Sequence, residues 1–100
     1  MAPVRSTEEV LQLLRDALPD LRQRYPIARI GIFGSYARGE QTPDSDVDVL
    51  VEFNGPIGIE FIDLADDLER RFGRAVDLVS SGSLKKARHR AYILPRVRYA

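Results

Sequence analysis

Gly34-Ser35, ten further residues and then Asp46-Val47-Asp48 form the part of this 100-residue sequence equipped for chemistry. Aspartates two apart on a strand project from one face, roughly 7 Å apart at the backbone, so their carboxylates can converge on divalent cations. Glycine lets backbone amides approach a phosphate closely, the Ser35 hydroxyl can donate as well, and a following helical turn would aim further N–H groups at the same place. A third acidic residue, Asp77, lies in a short apolar run at 75–79. Magnesium takes oxygen ligands in octahedral geometry and keeps water and substrate phosphate in its remaining positions, which suits two or three carboxylates. Two such ions can clamp the attacking and leaving oxygens of an in-line displacement at phosphorus. These residue types, in this order, are what moving a nucleotide requires. An isolated Asp-x-Asp can also mark a strand face open to water; Asp77 and the preceding Gly-Ser turn weigh against that here.

Arg38 offers a fork of donors to the same phosphates, although it could equally pair with Glu40. Ser45 is placed to bond the turn backbone ahead of Asp46. Competing motifs fail on detail. A nucleotide-hydrolase loop needs Gly-Lys-Ser/Thr, which does not occur. A calcium loop starting at Asp44 would need glycine where Val49 stands and glutamate where Gly55 stands. A sugar-nucleotide transferase using Asp-x-Asp would need a much larger chain for donor and acceptor. His89 is the one histidine and falls in a basic segment, where a surface or capping role is expected; Tyr92 and Tyr99 are expected to pack.

The elements around these residues follow from periodicity. Ser6 with Glu9 is a capping box, and Val10, Leu14 and Leu18 recur at helical spacing, predicting a helix from about residue 7 to Pro19. Pro19 should break or restart it, leaving a second piece at 20–24 before Tyr25-Pro26 forces the chain extended. A strand is predicted at 27–33, then a glycine-punctuated turn with one helical turn at 36–38. In the second strand Val47, Val49, Val51 and Phe53 face a core, while Asp46, Asp48 and Leu50 face away. Segment 58–72 reads as an amphipathic helix with Phe61, Ala65, Leu68 and Phe72 inward, Asp63, Asp66, Asp67, Arg70 and Arg71 outward, and Gly73 as its C-terminal cap. A strand at 74–79, a turn at 80–83 and a third helix from 84 to about 93, stopped by Pro95, complete a small α/β layer. No repeat or internal domain boundary is visible, and residues 1–100 read as one domain.

Hydrophobic content of 44% with 30% charge is that expected of a folded soluble protein, and neither a long apolar span nor a charged-then-apolar leader is expected from these residues. With no cysteine, disulfide frameworks, zinc-thiolate sites and thiol catalysis are excluded. A cytoplasmic protein without membrane attachment is expected. Formal net charge is zero, so direct nucleic-acid binding is not expected, but the charge is uneven. Residues 1–80 carry all fifteen acids against nine bases, whereas the last twenty carry Lys85, Lys86, Arg88, Arg90, Arg96 and Arg98 and no acid. That basic end reads either as a solvated helix face with a frayed terminus or as a docking surface.

Gly34-Ser35-Tyr36-Ala37-Arg38-Gly39 followed by Ser45-Asp46-Val47-Asp48 resembles the signature of the DNA-polymerase-β-like nucleotidyltransferase superfamily, and the short length resembles its minimal nucleotidyltransferase branch. The resemblance spans nearly the whole chain. It implies an α/β (α+β) palm, a small mixed sheet with helices packed on one face. It also implies that Gly34 and Ser35, with Arg38, hold the triphosphate of ATP. Asp46 and Asp48 would bind two Mg2+ ions, and Asp77 would complete the metal site and help deprotonate an incoming hydroxyl. Larger members carry an added domain for transfer RNA, an antibiotic or a primer, which is missing here, so a protein acceptor is expected. Many minimal members are antitoxins that adenylylate a tyrosine of a HEPN-domain ribonuclease toxin, and the same is expected of this chain. Two other classes remain open: an antitoxin that neutralises its partner by covering it, and an RNA-terminal nucleotidyltransferase.

Overall fold

The structure, a computed structural model, describes residues 3–84 and 91–100. Its elements are α1 (Thr7–Arg24), β1 (Ile27–Phe33), α2 (Gly34–Arg38), β2 (Val47–Phe53), α3 (Glu60–Phe72), β3 (Val76–Ser80) and β4 (Arg98–Tyr99), with short 3-10 turns at Ser81–Ser83 and Leu94–Arg96. The strands form one mixed sheet in the order β3-β2-β1-β4, parallel only between β2 and β3. The parallel pair requires a crossover, and α3 supplies it. Among the described residues no helix is long and apolar enough to cross a membrane.

Ser6 caps α1 as its sequence indicates, its side chain accepting from the Glu9 amide at 3.1 Å. Pro19 does not break this helix, which runs unbroken to Arg24. An interior proline costs about 3 kcal/mol, while burying one leucine side chain returns about 1.5–3 kcal/mol. Leu11, Leu14 and Leu21 are all buried against the sheet, so packing on both sides of Pro19 outweighs its local penalty. The inward stripe is Val10, Leu14, Ala17 and Leu21, with Leu18 only partly buried beside it.

Helix α3 starts at Glu60, two residues later than expected, with Gly58 outside it donating its amide to the Glu60 carboxylate at 2.9 Å. Its buried stripe is Leu64, Leu68 and Phe72, and Gly73 closes it in the left-handed conformation with φ 68°. Asp67, expected on the wet face, is 4% exposed. It is held by Arg24 Nη1 at 2.8 Å and Arg71 Nε at 2.7 Å, and Arg71 reaches on to Asp20. A carboxylate on the flank of the apolar stripe is tolerated because α1 brings a second cation to it.

The two helices cover one sheet face, where Ile30, Ile32, Val47, Val49 and Val51 meet Leu14, Leu21, Leu64, Leu68 and Phe72. Leu50, assigned by alternation to the open face, is completely buried, although Asp48 and Glu52 on either side of it along β2 are only half-buried. Strand β3 begins at Val76 rather than Arg74, whose guanidinium instead donates to the carbonyls of Val4 and Pro43, both at 2.6 Å. The expected helix from 84 to about 93 falls largely outside the described residues, as do Lys85, Lys86, Arg88, His89 and Arg90; residues 91–93 are helical. The terminus is not frayed. Arg98 and Tyr99 add β4 to β1, Ala100 donates to Ile30 O at 2.9 Å, and Arg98 pairs with Glu8 at 3.6 Å.

Candidate active site

The acidic residues gather where β1 ends and β2 begins. Asp48 is directly opposite Phe33 of β1 and, on its other side, in register with Asp77 of β3. Register partners in neighbouring strands share a face, so Asp48 and Asp77 project to the same side, away from the helices. Asp46 is not in β2 but in the bend just before it, where the amide of Val47 donates to Ala75 O at 3.0 Å. Asp48 is half-buried, Asp46 and Asp77 are exposed. The carboxyl of Asp48 titrates above the usual carboxylate range, first because burial disfavours its charge and then because Asp77 and Asp46 repel it; nearby Arg38 acts the other way. Negative charge is therefore concentrated on hard oxygens in a partly dry place, the donor set that suits a hard divalent cation such as magnesium. Among the described residues no three carboxylates are gathered tightly enough to hold an ion alone, so further oxygens must come from water and substrate phosphate.

The Gly34-Ser35 turn abuts this cluster. Gly34 has φ 70°, which favours glycine, and a Cβ on it would overlap Asp48 Oδ2 and stand 3.0 Å from Asp48 Cγ, so any side chain there must displace the Asp48 carboxylate. Helix α2 begins at Gly34 itself, two residues earlier than expected. It is fixed by Tyr36, fully buried, whose hydroxyl donates to Val4 O at 3.2 Å and whose carbonyl accepts from Thr7 Oγ1. The Ser35 carbonyl accepts from the amide of Gly39 and, at 2.9 Å, from that of Glu40, while its hydroxyl makes no hydrogen bond among the described residues. Arg38 pairs with Glu40 at 3.2 Å and remains close enough to act on Asp48, so it has the local partner expected of it without leaving the site. Ser45 accepts from the Thr42 amide at 2.8 Å and donates its own amide to Thr42 O, closing the loop that delivers Asp46.

Three positioning residues escaped the sequence reading: Tyr36, Thr7 and Arg74. The complete burial of Tyr36 had no periodic signal in a five-residue helix, and Arg74 was read only as the start of the strand at 74–79. Glu69 is a fourth, its carboxylate accepting from the Val76 amide at 2.9 Å and so setting where β3, and with it Asp77, begins. Of the residues predicted to act together, Gly34, Asp48 and Asp77 are brought side by side, with Asp46 and Arg38 at their edge.

Comparison with known proteins shows the family. The Nucleotidyltransferase domain family matches residues 14–99. The protein adenylyltransferase MntA of Thermococcus cleftensis is 47% identical over 79 residues, covering 78% of this chain and 80% of that protein. A candidate protein adenylyltransferase of Methanocaldococcus jannaschii is 39% identical over 93 residues, covering 90% and 89%. Among solved structures, a candidate minimal nucleotidyltransferase superposes with TM-score 0.79 at 35% identity over 97% of this chain and 98% of that one. A toxin-antitoxin crystal structure with AMP-PNP gives TM-score 0.58 at 30% identity, over 81% of this chain and 61% of that one. This chain belongs to the nucleotidyltransferase domain family and is a nucleotidyltransferase.

Proposed function

We propose that this chain transfers AMP from ATP to a hydroxyl of a partner protein, a tyrosine of a HEPN-domain ribonuclease toxin, and thereby acts as its antitoxin. The observation that carries the reading is the register of Asp48 with Asp77 immediately beside Gly34. It is supported by similarity to proteins named as protein adenylyltransferases and to a toxin-antitoxin structure holding an ATP analogue.

In this mechanism the amides and hydroxyl of Gly34-Ser35 hold the triphosphate, with Arg38 adding a guanidinium at its edge. Asp46 and Asp48 hold Mg2+, with Asp77 completing the set; the metal offsets charge on the phosphate oxygens when bound. The acceptor oxygen bonds to the α-phosphorus as the bond to pyrophosphate breaks, and the hydroxyl proton passes to the Asp77 carboxylate. Because the Asp77 side chain is exposed, an acceptor on another protein can reach it without any opening of the fold.

The test is incubation of purified chain with labelled ATP, magnesium and its toxin partner, followed by intact-mass analysis. Wild type should add adenylate to the partner, and Asp46→Asn and Asp48→Asn should each abolish the addition while circular dichroism stays unchanged. Protection from toxicity without label on the partner would replace transfer with steric neutralisation, and labelling of added RNA instead of protein would replace the acceptor.

A further inference from the structure

Helix α2 has a second side, away from the carboxylates, and it is not covered by the core. There a cavity of about 230 Å³ lies between Phe33, Gly34 and Ala37 on one wall and Tyr92, Ile93 and Arg96 on the other. It is smaller than the roughly 300–1,000 Å³ clefts that enclose a whole drug-sized ligand, and its lining is chiefly apolar, so it suits one ring system rather than a complete nucleotide. Tyr92, expected from sequence to pack, is 59% exposed. Its ring is nevertheless held in place: the Arg96 guanidinium lies 4.2 Å from the ring centroid and donates to Tyr92 O at 2.7 Å. A fixed but exposed aromatic beside an apolar recess is a stacking platform. Gly34 lines this cavity and also stands beside the Asp48 carboxylate, so the recess borders the place proposed for the triphosphate.

We infer that this cavity receives the base of the nucleoside triphosphate, with Tyr92 as the ring on which it stacks and Arg96 as the residue that positions Tyr92. The inference rests on the proposed function for the location of the phosphates. Stacking is tolerant of base identity because every base has a π-face, so Tyr92 contributes affinity for a nucleotide over a bare polyphosphate rather than a choice among bases.

Calorimetric titration of the full chain with ATP and, separately, with inorganic tripolyphosphate, both with magnesium, tests it. Tyr92→Ala should weaken ATP binding about tenfold or more, the range of base–aromatic stacking, and leave tripolyphosphate binding unchanged. Tyr92→Phe should retain wild-type affinity for both. Since the Tyr92 side chain is largely outside the core, the alanine variant is expected to melt as wild type does. Unchanged ATP affinity in Tyr92→Ala, equal weakening of ATP and tripolyphosphate, or wild-type protein that binds ATP no better than tripolyphosphate would each overturn the inference. If Tyr92→Ala behaves as expected while no acceptor is ever labelled, the transfer reading fails and the base site stands. If transfer occurs and Tyr92→Ala binds normally, the reverse holds.

Discussion

Gly34 and Gly39 flank the same short helix at almost the same backbone angle, φ 70° and 71°, yet meet opposite surroundings. A Cβ on Gly39 would have nothing within 4 Å, whereas one on Gly34 would overlap the Asp48 carboxylate, 3.0 Å from its Cγ and 3.3 Å from its Cβ. Alanine at either position costs about 1–2 kcal/mol for left-handed backbone, offset by about 0.4–1 kcal/mol from a less flexible unfolded chain. At about 4–8 °C per kcal/mol for a domain of this size, both variants should melt several degrees below wild type and close to one another. The overlap at Gly34 adds little to this, since the end of the Asp48 side chain can swing aside. Relaxed carbon–carbon contact at about 3.5–4.0 Å requires Asp48 Cγ to retreat roughly 0.5–1 Å and the overlapping Oδ2 to move further, and a misplacement of about 1 Å can cost about 10²-fold in rate. Gly34→Ala should therefore lose adenylate transfer approaching that factor while Gly39→Ala keeps nearly all of it. Thermal melts followed by circular dichroism and intact-mass transfer assays on both variants decide the matter. Equal activities at equal stability would refute the claim that Gly34 is required by its contact with Asp48.

Asp48→Asn removes a charge that burial, Asp77 and Asp46 all disfavour, so in chelator its melting temperature should equal or exceed that of wild type. Added magnesium should raise the melting temperature of wild type and leave that of Asp48→Asn where it was; a destabilised variant in chelator would contradict the charge crowding. At Asp67 the buried partner is the acid, and Arg24 and Arg71 are partly solvated. The double variant Arg24→Ala/Arg71→Ala strands that carboxylate and should cost about 3–5 kcal/mol in urea unfolding, more than Asp67→Asn; the opposite order would overturn this account.

Features governed by neighbours in the chain were legible from the residues. The Ser6 cap, the bounds of β1, the left-handed Gly73 and the Ser45 bond to its turn each depend on hydrogen bonds or periodicity within a few residues. Features that balance a local preference against distant packing were not. Pro19 looks like a stop until Leu14 and Leu21 are seen buried beside it, and Asp67 looks wet until Arg24 arrives from α1. Strand β4 has two residues, too few for any alternation, and exists through its pairing with Gly31 and Ile32.

At the site the division has the same cause. The order Gly34-Ser35, Asp46, Asp48, Asp77 already pointed to phosphate and divalent-cation chemistry, because oxygen donors and a glycine turn are what that chemistry needs. Residue order alone thus tells which groups are present and roughly which strand each belongs to. The folded chain was needed to make Asp48 and Asp77 register partners, to leave Asp46 one step outside β2, and to stand Tyr92 beside α2. Register and inter-element contact are long-range: they depend on how β3 is anchored by Glu69, how α2 is held by Tyr36 and where the last ten residues return to the sheet. No periodicity along one strand can encode them.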